Sequence, residues 1–241
     1  MTVLFSWVIP YVVLVVFMVG IIRRLAGWLH IPVPFKLTVF PSPGTTGGAV
    51  LDLCKETIGL RSLWRGHKGL WFAAWLFHLA LAFVLVGHFF GILFLGRQFV
   101  MFGVTPAQSE QLSVLGGTYA GLGLTLGLLL LTLRRVGLAK LRFISTPGDY
   151  LVLVILAGII GSGMYMRFFT DVTYLEVYRY LGGLLTFHPV PPPAQGAFLV
   201  HFTLVELLLI YFPYSKLLHA CGLFLSRWLI TRPYERQVIL K

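Results

Sequence analysis

Four of the seven histidines in this 241-residue chain lie inside long apolar runs. An ionisable side chain at membrane depth is costly and marks a functional site by default. His78 and His88 stand ten residues apart in WFAAWLFHLALAFVLVGHFFG, and His201 and His219 stand eighteen apart in HFTLVELLLIYFPYSKLLH. If the two runs are antiparallel helices, His88 and His201 share the outer level and His78 and His219 the inner one. Paired neutral imidazoles from facing helices suit the two axial positions of a haem iron. The reading is therefore two haems b, with His88/His201 and His78/His219 as iron ligands. Ten residues of helix rise about 15 Å and eighteen about 27 Å, so the two levels match only if the helices tilt or bend, and Pro213 can supply a kink. Around an ideal helix axis His201 and His219 return to one face, whereas His78 and His88 differ by about 80°.

A metal-bound imidazole needs a partner for its other nitrogen. Ser215, one turn before His219, is the candidate there, and the carbonyl one turn back is the default for the other three. Arg97 and Arg167 on the outer side, and Arg65 and Arg227 on the inner side, are candidates for pairing with haem propionates. Interfacial snorkelling is the plain alternative for each. The competing function is a histidine-lined metal or proton transporter. Such a site would bring intramembrane carboxylates, for which Glu206 is the candidate. His30 and His67 read as surface residues, and so does His188, with a further reading as a proton-handling group near a quinone. No catalytic residue is assigned.

The elements that must position these side chains are membrane helices. The chain is 58% hydrophobic and 11% charged, far from the roughly one-quarter charged residues of a soluble domain. Five apolar runs, about 3–22, 70–95, 111–133, 149–169 and 197–225, are each long enough to cross the bilayer core. They lack the alternation of a membrane barrel, so the fold class is an all-α, five-span membrane bundle forming a single domain over 1–241. Of the 19 lysines and arginines, all but Arg97, Arg167 and Arg179 fall in the first and third connections or at and after the end of span five. The positive-inside rule then puts the N-terminus outside and the C-terminus in the cytoplasm. Arg23 and Arg24 follow the first apolar run rather than precede it, so that run reads as a retained span and not a cleaved signal. The net charge of +11 expresses this asymmetry and gives no ground for nucleic-acid binding.

Cys54 and Cys221 belong to no CxxC or CxxCH, which leaves no signature for a thiolate-held cluster or covalent haem. The first cytoplasmic loop, 23–69, opens with the proline-spaced HIPVPFKLTVFPSPGTTGG, expected to be extended or turned. AVLDLCKETIGLRSLWRGHKG then places Val50, Leu51, Cys54 and Ile58 on one helical face. One or two amphipathic interfacial helices are expected there, either as a plain surface element or as a dock for a cytoplasmic subunit. The outer connection 170–196 ends in a rigid FHPVPPPAQG. Span three is rich in glycine, a composition that favours close helix packing.

With five spans, an outward N-terminus, the ten- and eighteen-residue histidine spacings and FPYSKLLH (Phe212–His219), the chain resembles the gamma subunit of respiratory nitrate reductase, a dihaem cytochrome b family. The resemblance implies an outer haem on His88 and His201, and an inner haem on His78 and His219 beside an iron–sulfur partner. It implies electron exchange with menaquinone or another quinone near the outer haem. It also implies a place in the cytoplasmic (inner) membrane of a prokaryote. The long first loop, with PVPFKLTVFPSPGTTGG and LRSLWRGHKGLWFAAWLFH, is similar to the DsrM branch, the membrane subunit of the DsrMKJOP complex linked to dissimilatory sulfite reduction. That likeness implies sulfur metabolism, a heterodisulfide-reductase-like cytoplasmic iron–sulfur partner, and further membrane and periplasmic subunits. Both directions of electron flow are compatible with it. The nitrate enzyme carries a lysine near its outer haem, where the connection here offers only Arg97.

Overall fold

A computed structural model describes residues 4–30 and 45–230. The proline-spaced stretch 31–44, expected to be extended, and the basic tail 231–241 lie outside the described residues, as does the side chain of Arg227. Every regular element among the described residues is helical. A π-helical turn, Leu4–Val8, leads into α1 (Ile9–Leu29). The helices α2 (Thr46–Gly59), α3 (Arg61–Gly66), α4 (Lys68–Leu93), α5 (Pro106–Gly137), α6 (Ala139–Ile144), α7 (Pro147–Phe169), α8 (Tyr174–Leu185), α9 (Gly196–Tyr211) and α10 (His219–Ile230) follow. Five stretches are long and apolar enough to span a bilayer: Ser6–Leu29, Lys68–Leu93, Pro106–Gly137, Pro147–Phe169 and Gly196–Tyr214. The chain is a multi-pass membrane protein.

Local chemistry sets the helix starts. Pro106 and Pro147 occupy first-turn positions, where the missing N–H has no intrahelical partner to lose. Thr105 with Gln108, Thr146 with Asp149, and Thr173 with Glu176 form reciprocal capping boxes. Thr173 donates to Glu176 through both its N–H and its hydroxyl, at 2.9 and 2.8 Å. These bonds to the ionised form hold the Glu176 carboxyl below its ordinary range.

One expectation needs correction. Span five is not one helix over 197–225. Pro213 cannot donate to the carbonyl one turn back, and the chain passes through two 3₁₀ turns, Phe212–Tyr214 and Lys216–Leu218, before α10 begins at His219. Ser215 caps the second turn, accepting from Leu217 N–H at 3.1 Å. Arg24 of α1 donates to the Pro213 carbonyl at 3.4 Å. His219 therefore does not share with His201 the continuous helical face that the eighteen-residue spacing predicts, because the helix between them is interrupted.

The connection 170–196 is helical ahead of its proline run. It contains α8, whose Tyr180 is 1% exposed. The Tyr180 hydroxyl donates to Ser6 O at 2.7 Å, and Tyr11 of α1 donates to Leu184 O at 2.8 Å. These bonds clamp α8 across the outer ends of α1 and α9, with Phe198 and Phe202 packed beneath. Burial, helped by Glu206 and Tyr11, pushes the Tyr180 phenol up to about 12, so it remains a donor at physiological pH.

The long helices pack in the order α4, α5, α7, α9, α1. Glycines of α5 sit under neighbours: Gly127 against the backbone of Phe77, Gly121 against Met164, and Gly117 under Arg167. Close packing is what these glycines provide. Neither α4 and α9 nor α4 and α10 form a packed helix pair. The histidine-bearing helices face each other across gaps.

Candidate functional site

The four intramembrane histidines meet in pairs across those gaps. The ring centroids of His88 and His201 are 6.4 Å apart with planes 6° from parallel. Those of His78 and His219 are 6.0 Å apart with planes 85° apart. An imidazole nitrogen bound to a metal at about 2.0–2.1 Å puts the ring centre roughly 3.2 Å from it, so two imidazoles on opposite sides of one metal would have centroids about 6.4 Å apart. Both pairs stand at the separation needed to hold one metal between them.

The second ring nitrogen is committed in all four. His78 Nδ1 lies 2.7 Å from Ala74 O and His88 Nδ1 2.7 Å from Val84 O, each one turn back on α4. His219 Nδ1 lies 2.9 Å from Lys216 O. A carbonyl only accepts, so each Nδ1 carries the proton and donates, leaving the Nε2 lone pair free for a metal. His201 differs. Its Nδ1 lies 3.1 Å from Ile159 O and 3.1 Å from Ser162 Oγ, both on α7. The Ser162 proton is already given to Gly158 O at 2.7 Å, so its oxygen is free to accept from His201. Gly163 lets the ring lie against α7, because a Cβ there would sit 3.2 Å from His201 Cε1.

Ser215 does not partner His219. Its hydroxyl donates to Phe212 O at 3.0 Å and serves the 3₁₀ cap. The carbonyl one turn back holds for His78 and His88 but not for His201, whose partner comes from another helix.

Of the outer arginines, Arg167 is half-buried on the last turn of α7, one turn beyond Gly163, with its guanidinium over Gly117. That places it one turn along α7 from the glycine that lies against His201. Arg97 is exposed in the turn after α4. On the inner side Arg65 is exposed on α3. His30 and His188 are exposed, as expected. His67 has a structural role the spacing did not reveal, since its side chain accepts from Leu70 N–H and caps α4. Cys54 and Cys221 are free thiols.

The amphipathic helices expected in the loop 23–69 are present as α2 and α3, broken at Leu60 in a left-handed conformation, φ 48°. The Gly59 carbonyl accepts from Trp71 Nε1 at 2.8 Å. Trp64, Trp71 and Trp75 form a column with centroid spacings of 4.6 and 5.7 Å, ending one turn from His78. On its other side α2 packs against α10, which begins at His219. The loop thus packs against both helices that carry His78 and His219.

Glu206 is buried, with Oε1 unpartnered. Among the described residues no third histidine, cysteine or carboxylate joins either pair to complete a protein-only metal cage. Two axial nitrogens per site suit an iron whose equatorial positions a porphyrin fills.

Residues 62–239 match a family described as the nitrate reductase gamma subunit, a range that includes all four histidines. The chain is 30% identical over 268 residues to the Hdr-like menaquinol oxidoreductase cytochrome b-like subunit of Archaeoglobus fulgidus, covering 93% of this chain and 78% of that protein. It is 27% identical over 267 residues to the protein of the same description from Archaeoglobus profundus, covering 91% and 76%. It is 28% identical over 167 residues to the nitrate reductase gamma chain of Bacillus subtilis, covering 66% and 74%.

Proposed function

This chain belongs to the nitrate reductase gamma subunit family, and on that premise we propose that it is the dihaem cytochrome b subunit of a quinone-linked oxidoreductase. The haems, when bound, supply reversible one-electron carriers between the quinone pool and a cytoplasmic iron–sulfur partner. His88 and His201 hold the outer haem, and His78 and His219 the inner one. The observation that carries this reading is the double pairing of imidazoles at metal-bridging separation with every Nδ1 tied to a carbonyl. Arg167, one turn along α7 from the glycine that lies against His201, is the residue placed to meet a propionate. Arg97 is the second candidate.

The quinone is of the menaquinone class, as the names of the archaeal relatives suggest for those proteins. His188 is the candidate proton-handling group near it. The whole chain forms one membrane domain in the inner membrane of a prokaryote, N-terminus outside, and the partner is heterodisulfide-reductase-like, in a branch serving sulfur metabolism. A pyridine haemochrome assay on the purified chain is expected to give about two non-covalent haems b, one per histidine pair. Well-behaved protein with no haem absorption would leave the transporter reading in its place.

The α2–α3 segment docks the cytoplasmic partner. Lys55, Arg61, Arg65 and Lys68 lie in or just after it, with Lys68 Nζ 5.3 Å above the Trp64 ring at the exposed end of the tryptophan column. Exposed charges are screened over about 10 Å at 0.1 M salt, so the contact weakens as salt rises. Arg61 also pairs with Asp52 at 3.4 Å, but that pair is exposed and contributes about 0–1 kcal/mol. The double variant Arg61→Glu/Arg65→Glu is expected to bind and titrate both haems while losing its partner on purification. Retention of partner and turnover with impaired membrane insertion would instead assign the basic helices to lipid headgroups.

A further inference from the structure

We propose that Asp149 is a positioning residue for the inner haem ligand, acting through Lys216 on His219. The proposal rests on the dihaem reading. Three of the four candidate ligands are held by backbone in regular α-helix: the carbonyls of Ala74, Val84 and Ile159. His219 is the exception. Its Nδ1–H donates to Lys216 O at 2.9 Å, inside a 3₁₀ turn that follows the break at Pro213. Such turns have poorer hydrogen-bond geometry than α-helix and little stiffness of their own. Within the turn, Ser215 caps the Leu217 N–H and the His219 N–H also reaches the Lys216 carbonyl, and a further anchor reaches Lys216 from outside it.

Asp149 supplies it. Lys216 Nζ donates to Asp149 Oδ2 at 2.7 Å, and the Asp149 side chain is only 7% exposed while that of Lys216 is 68% exposed. The same oxygen accepts from Thr146 N–H at 2.9 Å and Thr146 Oγ1 at 3.2 Å, and Arg135 of α5 stands 3.4 Å away. Arg135 in turn donates to Ser145 Oγ at 2.9 Å. The carboxylate is thus rigid, fixed on the first turn of α7 and braced from α5. Nearby, Gly148 admits the Tyr211 hydroxyl at the last residue of α9. Lys216 is gripped at its side chain by α7, while its carbonyl orients the imidazole. One residue links the helix framework to the ring.

Two effects of removing the Asp149 charge act in one direction on the inner haem. A carbonyl accepting from Nδ1–H raises the basicity of a ligating imidazole, which favours ferric iron, so loosening it raises the potential. Loss of a nearby negative charge also favours the reduced state. The charge effect would follow from Asp149 in a capping role as well, so the positioning role is read from the ligand-plane signal and from Lys216→Met, which separates the grip from the cap.

Asp149→Asn keeps an oxygen for the cap and loses the charge that holds Lys216. Lys216→Met leaves the cap intact and, being a change at an exposed side chain, leaves the fold intact. Lys216→Arg keeps the pair. The full-length chain, purified with its haems, is titrated potentiometrically and by EPR of the ferric haems, which reports the angle between the ligand planes. Asp149→Asn is expected to favour the reduced inner haem by three- to tenfold, about 30–60 mV for one electron, with the outer step unmoved. Lys216→Met is expected to change the inner EPR signal, and Lys216→Arg to leave it as in the unmodified chain. An inner signal and potential unchanged in both Asp149→Asn and Lys216→Met overturn the proposal, as does an equal shift of both haems. Unmodified protein that holds no haem overturns the dihaem reading itself, and this proposal with it.

Discussion

Alanine at His88 or at His201 is expected to remove the same haem, and alanine at His78 or at His219 the other. Each single substitution should halve the haem content of the purified chain and delete one of two steps from its redox titration. The effect is close to all-or-none because the two ligands of a pair come from helices that do not otherwise pack together. Once one imidazole is gone, nothing else in the gap offers a nitrogen to that iron, since among the described residues no further histidine, cysteine or carboxylate clusters with either pair. The remaining site keeps both ligands and both carbonyl bonds, so its step should persist. His30→Ala is the control, because that imidazole lies at the exposed end of α1, bonded to the Ala26 carbonyl, and both haems should remain. If His78→Ala and His201→Ala lost one and the same haem, the level-by-level pairing would be wrong. The two surviving haems should also differ in ferric EPR signal, given ligand planes 85° apart at the inner site and 6° at the outer.

The pairing was legible in the sequence because it depends on depth, and depth follows from hydropathy and the direction of each span. What holds the rings was only half legible. A carbonyl one turn back is local, so His78 and His88 conform to it. His201 turns to Ile159 and Ser162 on α7, and no spacing within its own helix could announce a partner on a neighbour. Pro213 was visible as a kink. That it ends the helix outright depends on Ser215 capping the next turn and on Arg24 reaching the freed Pro213 carbonyl from α1, a contact between residues far apart in the chain. The outer helix α8 had a local signature in Thr173-x-x-Glu176 followed by Val177, Leu181 and Leu184.

Glycine positions in span three pose the same difficulty at finer scale, because composition says that helices come close but not at which residue. Gly123 and Gly127 lie one turn apart on α5, both against α4. A Cβ at Gly123 would meet Ala80 Cβ at 3.5 Å and Leu76 Cδ1 at 3.6 Å, ordinary van der Waals contact. A Cβ at Gly127 would meet Phe77 Cα at 2.8 Å and its N at 2.9 Å, and backbone cannot rotate aside. Gly123→Ala is therefore expected to be near-neutral, while Gly127→Ala forces α5 and α4 apart and costs about 1–3 kcal/mol, the range for overpacking a well-filled core. In lipid the close approach of helices is itself the attraction, so separation also forfeits the contacts of the cluster formed by Phe77, Ala80, Leu124, Leu128 and Ile160. Phe77 immediately precedes His78, so the displaced backbone carries an inner ligand with it, whereas His88 lies three turns further along α4. Gly127→Leu should accordingly lose the inner haem or broaden its redox step while the outer step survives. Haem content and titration of the Gly123→Ala, Gly127→Ala and Gly127→Leu proteins decide the matter. Equal tolerance at the two glycines would mean that α4 and α5 do not cross where Gly127 meets Phe77.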